Sequence, residues 1–179
     1  MLMPGITYVE EFEPKVQVKV RDRFGRDIDA LATLGFRELC FYREQFGLFS
    51  GILSLPTCLL MLAKGEVVRL HAGLNASASF ILMCHNDPAT VVVPLALGMK
   101  LYTAFADRTV VISTTFPSCA LPAPGSRVVK SPSRLTLKDA WDLHRQQIRK
   151  LEGEGKEVRR SVRFEHYVEM SRQEEGAVA

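Results

Sequence analysis

The chain has 179 residues, of which 47% are hydrophobic and 24% charged, with a net charge of +3. That length suits one domain with a substantial core, and so small a net charge gives no reason to expect a polyanionic partner. The four cysteines (Cys40, Cys58, Cys84 and Cys119) show no Cys-x-x-Cys spacing, which argues for free thiols in a reducing compartment rather than a disulfide framework.

The first residues, Met1 to Ile6, have neither a basic n-region nor a long apolar run, and Glu10, Glu11 and Glu13 follow at once. No secretory signal is expected, and the cytoplasm is the expected location. The alternation Val16, Val18, Val20 predicts a short strand. Phe24, Ile28, Leu31 and Leu34 then recur at helical spacing and predict an amphipathic helix over Arg21–Leu34, closed by Gly35. Phe36–Arg43 alternates again and predicts a strand.

Gln45–Ala63 carries no charged residue over 19 positions, and Leu70–Asn86 is uncharged apart from neutral His71 and His85. A membrane span needs about 20 predominantly apolar residues. Gly47, Ser50, Gly51, Ser54, Pro56 and Thr57 dilute the first run, and His71, Asn75, Ser77 and Ser79 the second, so buried core elements are expected in preference to membrane contact. Between them, Leu59–Ala63 and Val67–His71 have the turn Lys64-Gly65-Glu66 of a hairpin. A short helix starting near Pro56 fits the first of these equally well.

The clearest pattern lies further on. Ser79–His85, Thr90–Leu95, Lys100–Ala106 and Thr109–Thr115 are rich in β-branched and aromatic residues and are separated by Asn86-Asp87-Pro88, Gly98 and Ala106-Asp107-Arg108. Four consecutive strands with short connections predict an antiparallel meander. Pro117–Pro132, with prolines at 117, 122, 124 and 132, predicts a linker or a loop crossing the sheet. Thr136 with Asp139 three residues later marks a helix start, and Leu137, Trp141, His144, Ile148 and Leu151 form its apolar stripe down to Gly153 and Gly155. A last helix is expected around Ser161–Gln173, crossing to a second subunit from the Gly153–Gly155 joint. The expected division is an α+β sheet domain over 1–116, a Pro-rich linker over 117–135, and a helical segment over 136–179 packing on the same domain.

Chemistry is sparsely marked. Cys84 and His85 are adjacent and so point to opposite faces of a strand, which prevents them from acting as a nucleophile–base pair. His71, His85, His144 and His166 lack metal-ligand spacing, so neither a metal nor another cofactor is expected. The one Gly-x-Gly, at Gly153–Gly155, follows a helix instead of opening one, which excludes a phosphate cradle of the dinucleotide type. From Arg127 to Arg163 there are 11 Lys/Arg against 5 Asp/Glu, a local +6 beside −3 for the rest. Arg145, Arg149 and Lys150 fall on polar helix faces with few interleaved aromatics, so a solvated face is expected in preference to a nucleic-acid site.

Two candidate constellations remain. Trp141 and His144 share the apolar stripe of the later helix, at the expected lip of an apolar pocket. Thr103 and Thr115 head a line of hydroxyls with Thr109, Ser113 and Thr114, a line that serves either a ligand or the solvent face of a strand. The expected architecture is α+β, a central antiparallel β-meander of about four to six strands packed by an N-terminal helix and C-terminal helices. The expected function is a non-catalytic module binding a small molecule or a protein, with homodimerisation in view. The alternative is a small enzyme using His144 and Cys84.

Overall fold

The computed structural model describes residues 6–46, 68–71, 75–95, 98–115, 128–130 and 135–178. In chain order these form β1 (Thr7–Glu10), α1 (Pro14–Thr33), β2 (Arg37–Phe46), β3 (Val68–His71), β4 (Asn75–Asn86), β5 (Ala89–Leu95), β6 (Gly98–Ala104), β7 (Val110–Thr114), β8 (Val128–Lys130), α2 (Leu137–Gly153) and α3 (Phe164–Val178). The strands make one sheet in the order β1-β2-β4-β5-β6-β7-β8, with β3 paired to β4 beside that path. Every pairing is antiparallel except β7 with β8, and the fold is α+β.

The meander from β4 to β7 follows from its sequence. Its strands alternate between two buried faces, so β5 reads Val-Val-Val through Val91, Val92 and Val93 with all three buried. One face carries Ile81, Met83, Val92 and Leu101 and is covered by α1 and by Trp141 of α2. The other carries Phe80, Leu82, Val91, Tyr102 and Ile112 and is covered by Tyr167 and Met170 of α3.

Three expectations need correction. The Val16-Val18-Val20 alternation lies inside α1, not in a strand. Pro14 opens that helix, and Val16, Val20, Phe24 and Leu31 recur at helical intervals and are buried, while Val18 is 55% exposed. Burying those four side chains, worth about 1.5–3 kcal/mol each, outweighs the β preference of three valines. The Pro-rich linker contains β8, which extends the sheet in parallel with β7. The last helix stays on its own sheet, with Tyr167 packed against Tyr42 and Tyr102. Of the two uncharged runs, 47–63 and 72–74 lie outside the described residues, and so does the segment Leu59–Ala63. Val68–His71 is a strand whose partner is the start of β4.

Both long helices end on a glycine for the same reason. The Gly35 and Phe36 amides donate to the carbonyls of Ala32 and Leu31 at 3.0 and 3.1 Å, and the Gly155 and Lys156 amides to those of Glu152 and Leu151 at 2.9 and 3.0 Å. This closing pattern needs a left-handed residue, and φ is +89° at Gly35 and +85° at Gly155. A Cβ on Gly35 would also meet His85 Nε2 at 3.1 Å.

The α1 assignment makes a direct prediction. Val18→Asp should change stability to urea by no more than about 0.5 kcal/mol, as an exposed site does, whereas Val20→Asp should cost at least about 3 kcal/mol by burying an unpaired charge. Equal losses from the two would mean a strand there, with both valines on one face.

Candidate functional site

Helix α2 starts where Thr136 accepts from the Asp139 amide at 3.1 Å and donates to the Asp139 carboxylate at 2.7 Å. This start sets the rotation of the helix, which turns Ala140, Trp141, His144 and Ile148 onto the sheet. His144 is fully buried. Its Nε2 lies 2.9 Å from Thr103 Oγ1, its Nδ1 2.8 Å from Ser113 Oγ, and Thr103 Oγ1 is 2.8 Å from Thr90 Oγ1. One histidine thus ties together hydroxyls from β5, β6 and β7. A neutral imidazole donates from one nitrogen and accepts at the other, which matches two hydroxyl partners. Burial lowers the His144 pKa to about 3.

Trp141 sits beside this knot, its ring 4.9 Å from Phe36, 5.1 Å from His85 and 6.0 Å from His144, with the Arg145 guanidinium 5.8 Å from the indole. Trp141, His144 and Thr103 are therefore brought together, beneath the surface. Thr115 makes a different bond, accepting from the Met99 amide at 2.8 Å where β6 and β7 begin to part. Thr103, Thr109, Ser113 and Thr114 are all buried, so this hydroxyl line is not a solvent face.

Cys84 is buried on the opposite face of the sheet from His144. It pairs in register with Val91, while its neighbour His85 turns to Phe36 and Trp141. The sheet separates that thiol from that imidazole. Cys40 is half-buried, and its thiol is pushed up to about 12 by burial, with the charges of Glu10, Cys84 and Glu165 adding to the effect. Cys58 and Cys119 lie outside the described residues. No group of three or more potential metal ligands occurs among the described residues.

A second polar network was not legible in the sequence. On the α3 face, Tyr42 and Tyr167 share a hydroxyl–hydroxyl bond of 2.7 Å, Tyr8 reaches Ser171 at 2.8 Å, and Tyr102 donates to Glu174 at 2.8 Å. Lys100 adds an ion pair to Glu174 at 3.1 Å. Burial raises Tyr42, Tyr102 and Tyr167 well above the ordinary phenol range. The signal was the spacing Tyr167, Ser171, Glu174, which lines three polar groups along one stripe of α3.

Two of the grooves that open to solvent among the described residues involve α3 or the segment leading to it. The first, of about 600 Å³, lies between the β4–β5 turn and the α2–α3 connection. Its cations are neutralised locally, since Lys156 pairs with Asp107, Arg159 with Glu169 and Arg160 with Glu157. The second, of about 590 Å³, runs between β1 and α3, lined by Tyr8, Phe164, Glu165, Val168, Glu169, Arg172 and Gln173. No described strand pairs with the outer side of β1. The Glu11 amide donates to the Phe41 carbonyl at 2.8 Å, and antiparallel pairs alternate, so Val9 and Thr7 also bond inward to β2. The backbone groups of Tyr8 and Glu10 consequently point outward, along the groove.

Comparison with protein-family models, with curated proteins and with solved structures finds no match to this chain. No helix among the described residues is long and apolar enough to cross a membrane.

The knot predicts a pH signature. The unfolded imidazole takes up a proton near pH 6.5 and the folded one only near pH 3, so stability falls as pH drops through that window, by up to about 1.4 kcal/mol per pH unit. His144→Gln should lower stability at pH 7 by about 1–3 kcal/mol by leaving a hydroxyl unpaired. Urea midpoints from pH 7 down to 4 should then show the gap to the natural chain narrowing, because only the natural chain carries this titration. A gap independent of pH would mean that His144 titrates normally in the fold.

Proposed function

We propose that this chain is a non-catalytic protein-interaction module that receives a polypeptide segment in the groove between β1 and α3. The observation that carries this reading is the groove's lining, in which Phe164 and Val168 give an apolar strip beside the charged Glu165 and Arg172. The groups best suited to catalysis speak for binding instead. His144 is sealed between two hydroxyls with its pKa lowered to about 3, and Cys84 is buried on the other face. The cytoplasm is the location proposed, since Cys40 and Cys84 are both free thiols.

A photo-crosslinking amino acid placed at Val168 or Gln173, in cells of the native host, should join the chain to one defined polypeptide, with the crosslinked peptide identified by sequencing in a mass spectrometer. The same probe at Asp22, exposed on α1 across the sheet, should give no such adduct. Equal adducts at all three positions, or none, would defeat the groove-docking reading.

A further inference from the structure

The connector from α2 to α3 holds a serine in the open. Residues 159–163 read Arg-Arg-Ser-Val-Arg and lie outside helix and strand, with Arg160, Ser161 and Arg163 exposed. Both ends of this stretch are anchored. The Arg159 amide donates to the Ala104 carbonyl at 3.0 Å, and the Arg163 carbonyl accepts from the Tyr167 amide at 3.3 Å as α3 begins. Cationic groups converge on it from three elements. The His166 ring of α3 donates from Nδ1 to the Ser161 carbonyl at 3.0 Å. One turn further along α3, Glu169 receives the Arg159 guanidinium at 2.7 Å. That bond is the main cause of a lowered Glu169 pKa, against the opposing effect of desolvation, and the charges of Arg159, His166 and Arg108 add to it. Arg108 acts from the β6–β7 turn, where it adopts the left-handed backbone with φ at +68°. Two guanidiniums and an imidazole thus share one carboxylate, close to Ser161.

We infer that Ser161 is a phosphorylation site, modified by an arginine-directed serine/threonine kinase. Such kinases select substrates by charge, through carboxylates that receive arginines just before the target hydroxyl, and Arg159 and Arg160 stand there. The pair of Arg159 with Glu169 is partly exposed, so opening it costs little. With ATP as donor, the Ser161 hydroxyl oxygen bonds to the γ-phosphorus, and the bond from that phosphorus to the departing ADP oxygen breaks. The hydroxyl proton goes to the catalytic carboxylate of the kinase. The product carries a charge of about −1.5 to −2 at neutral pH. Set opposite an arginine cluster, such a charge forms new charge-assisted hydrogen bonds, whereas beside carboxylates alone it would repel them. The bond to His166 fixes Ser161 about one helical turn, roughly 5 Å, from the level of Glu169. The phosphate therefore competes with Glu169 for Arg159 and Arg108, and ties the connector to the β6–β7 turn. Ser161 does not line the groove between β1 and α3, so this site stands or falls apart from the groove-docking reading.

The test is to incubate the full chain with ATP and a purified kinase of this class. Intact mass should rise by one phosphoryl group, fragment ions should place it on Ser161, and Ser161→Ala should prevent the gain. Arg160→Ala changes an exposed residue and should leave the urea midpoint unchanged while slowing transfer about tenfold. The phosphorylated chain should unfold at a higher urea midpoint than the unmodified one, and added salt should shrink the difference. Arg108→Asn, which suits the left-handed backbone and removes the guanidinium, should cut that difference by about half. Chain recovered from its own host with phosphatases inhibited should carry the phosphate on Ser161. A chain that takes no phosphate, or takes it elsewhere in preference to Ser161, overturns the inference. So does a phosphorylated chain whose midpoint fails to rise, or a host protein without phosphate on Ser161 in every phase of growth.

Discussion

A strand buried on both faces can carry a polar side chain only where another polar group comes to meet it, and that requirement shapes the centre of this molecule. β5, β6 and β7 are covered by α2 on one side and approached by α3 on the other, so Thr90, Thr103 and Ser113 have no water to turn to. A buried hydroxyl left alone costs about 1–3 kcal/mol, more than a typical bond returns, so the network matters most for what it forbids. Sliding α2 by one residue along the sheet would take His144 away from both of its hydroxyl partners at once. The histidine therefore works as a register pin, and its neutrality is a condition of that role: a protonated ring could only donate, and both hydroxyls would have to accept.

The opposite face meets the same constraint with different residues. Tyrosines suit a helix laid over a sheet because each combines a large apolar ring with one terminal hydroxyl. Tyr8, Tyr42, Tyr102 and Tyr167 pack ring against ring while their hydroxyls find one another, Ser171 or Glu174. Glu174 is held beneath α3 by Tyr102 and Lys100 together, which keeps a nearly buried carboxylate from standing alone. Tyr8 brings the edge strand into this arrangement, so the position of β1 depends on the packing of a helix more than 150 residues away in sequence.

Local pattern revealed the elements whose causes are local. The meander was readable because β-branched runs and turn residues alternate over residues 79–115, and α2 because Thr136 and Asp139 announce its start ahead of a clean apolar stripe. That His144 faces the sheet was also readable from its place on the stripe. What it meets there was not readable: Thr103 and Ser113 stood in a line of hydroxyls that suited a ligand or a solvent face, Thr90 did not stand out, and all three join it only through strand registers that no spacing reveals. The misreadings share one origin. Val16, Val18 and Val20 satisfy a period of two as well as Val16, Val20 and Phe24 satisfy a helical one, and only the presence of a core to cover decides between them. β8 is three residues long and exists because β7 offers it an edge. The chain around Gly155 looked like a free joint, yet it is fastened. The Ala106 amide donates to the Glu157 carbonyl at 2.8 Å and the Arg159 amide to the Ala104 carbonyl at 3.0 Å, which directs α3 back over its own sheet.

The same fastening bears on where recognition can occur. The excess of Lys and Arg in the C-terminal third is engaged close to home: Lys156 with Asp107, Arg159 with Glu169, Lys138 with Asp142. Exposed pairs of this kind add little stability. Both faces of the sheet are already covered by helices, and most of the polar chemistry inside is matched, with Arg43 Nε and Gln147 Oε1 the exceptions among the described residues. A protein built this way commits its sheet faces to packing, so recognition falls to the seams between helix and sheet margin, where the groove between β1 and α3 sets an apolar strip at Phe164 and Val168 beside an acid and a base.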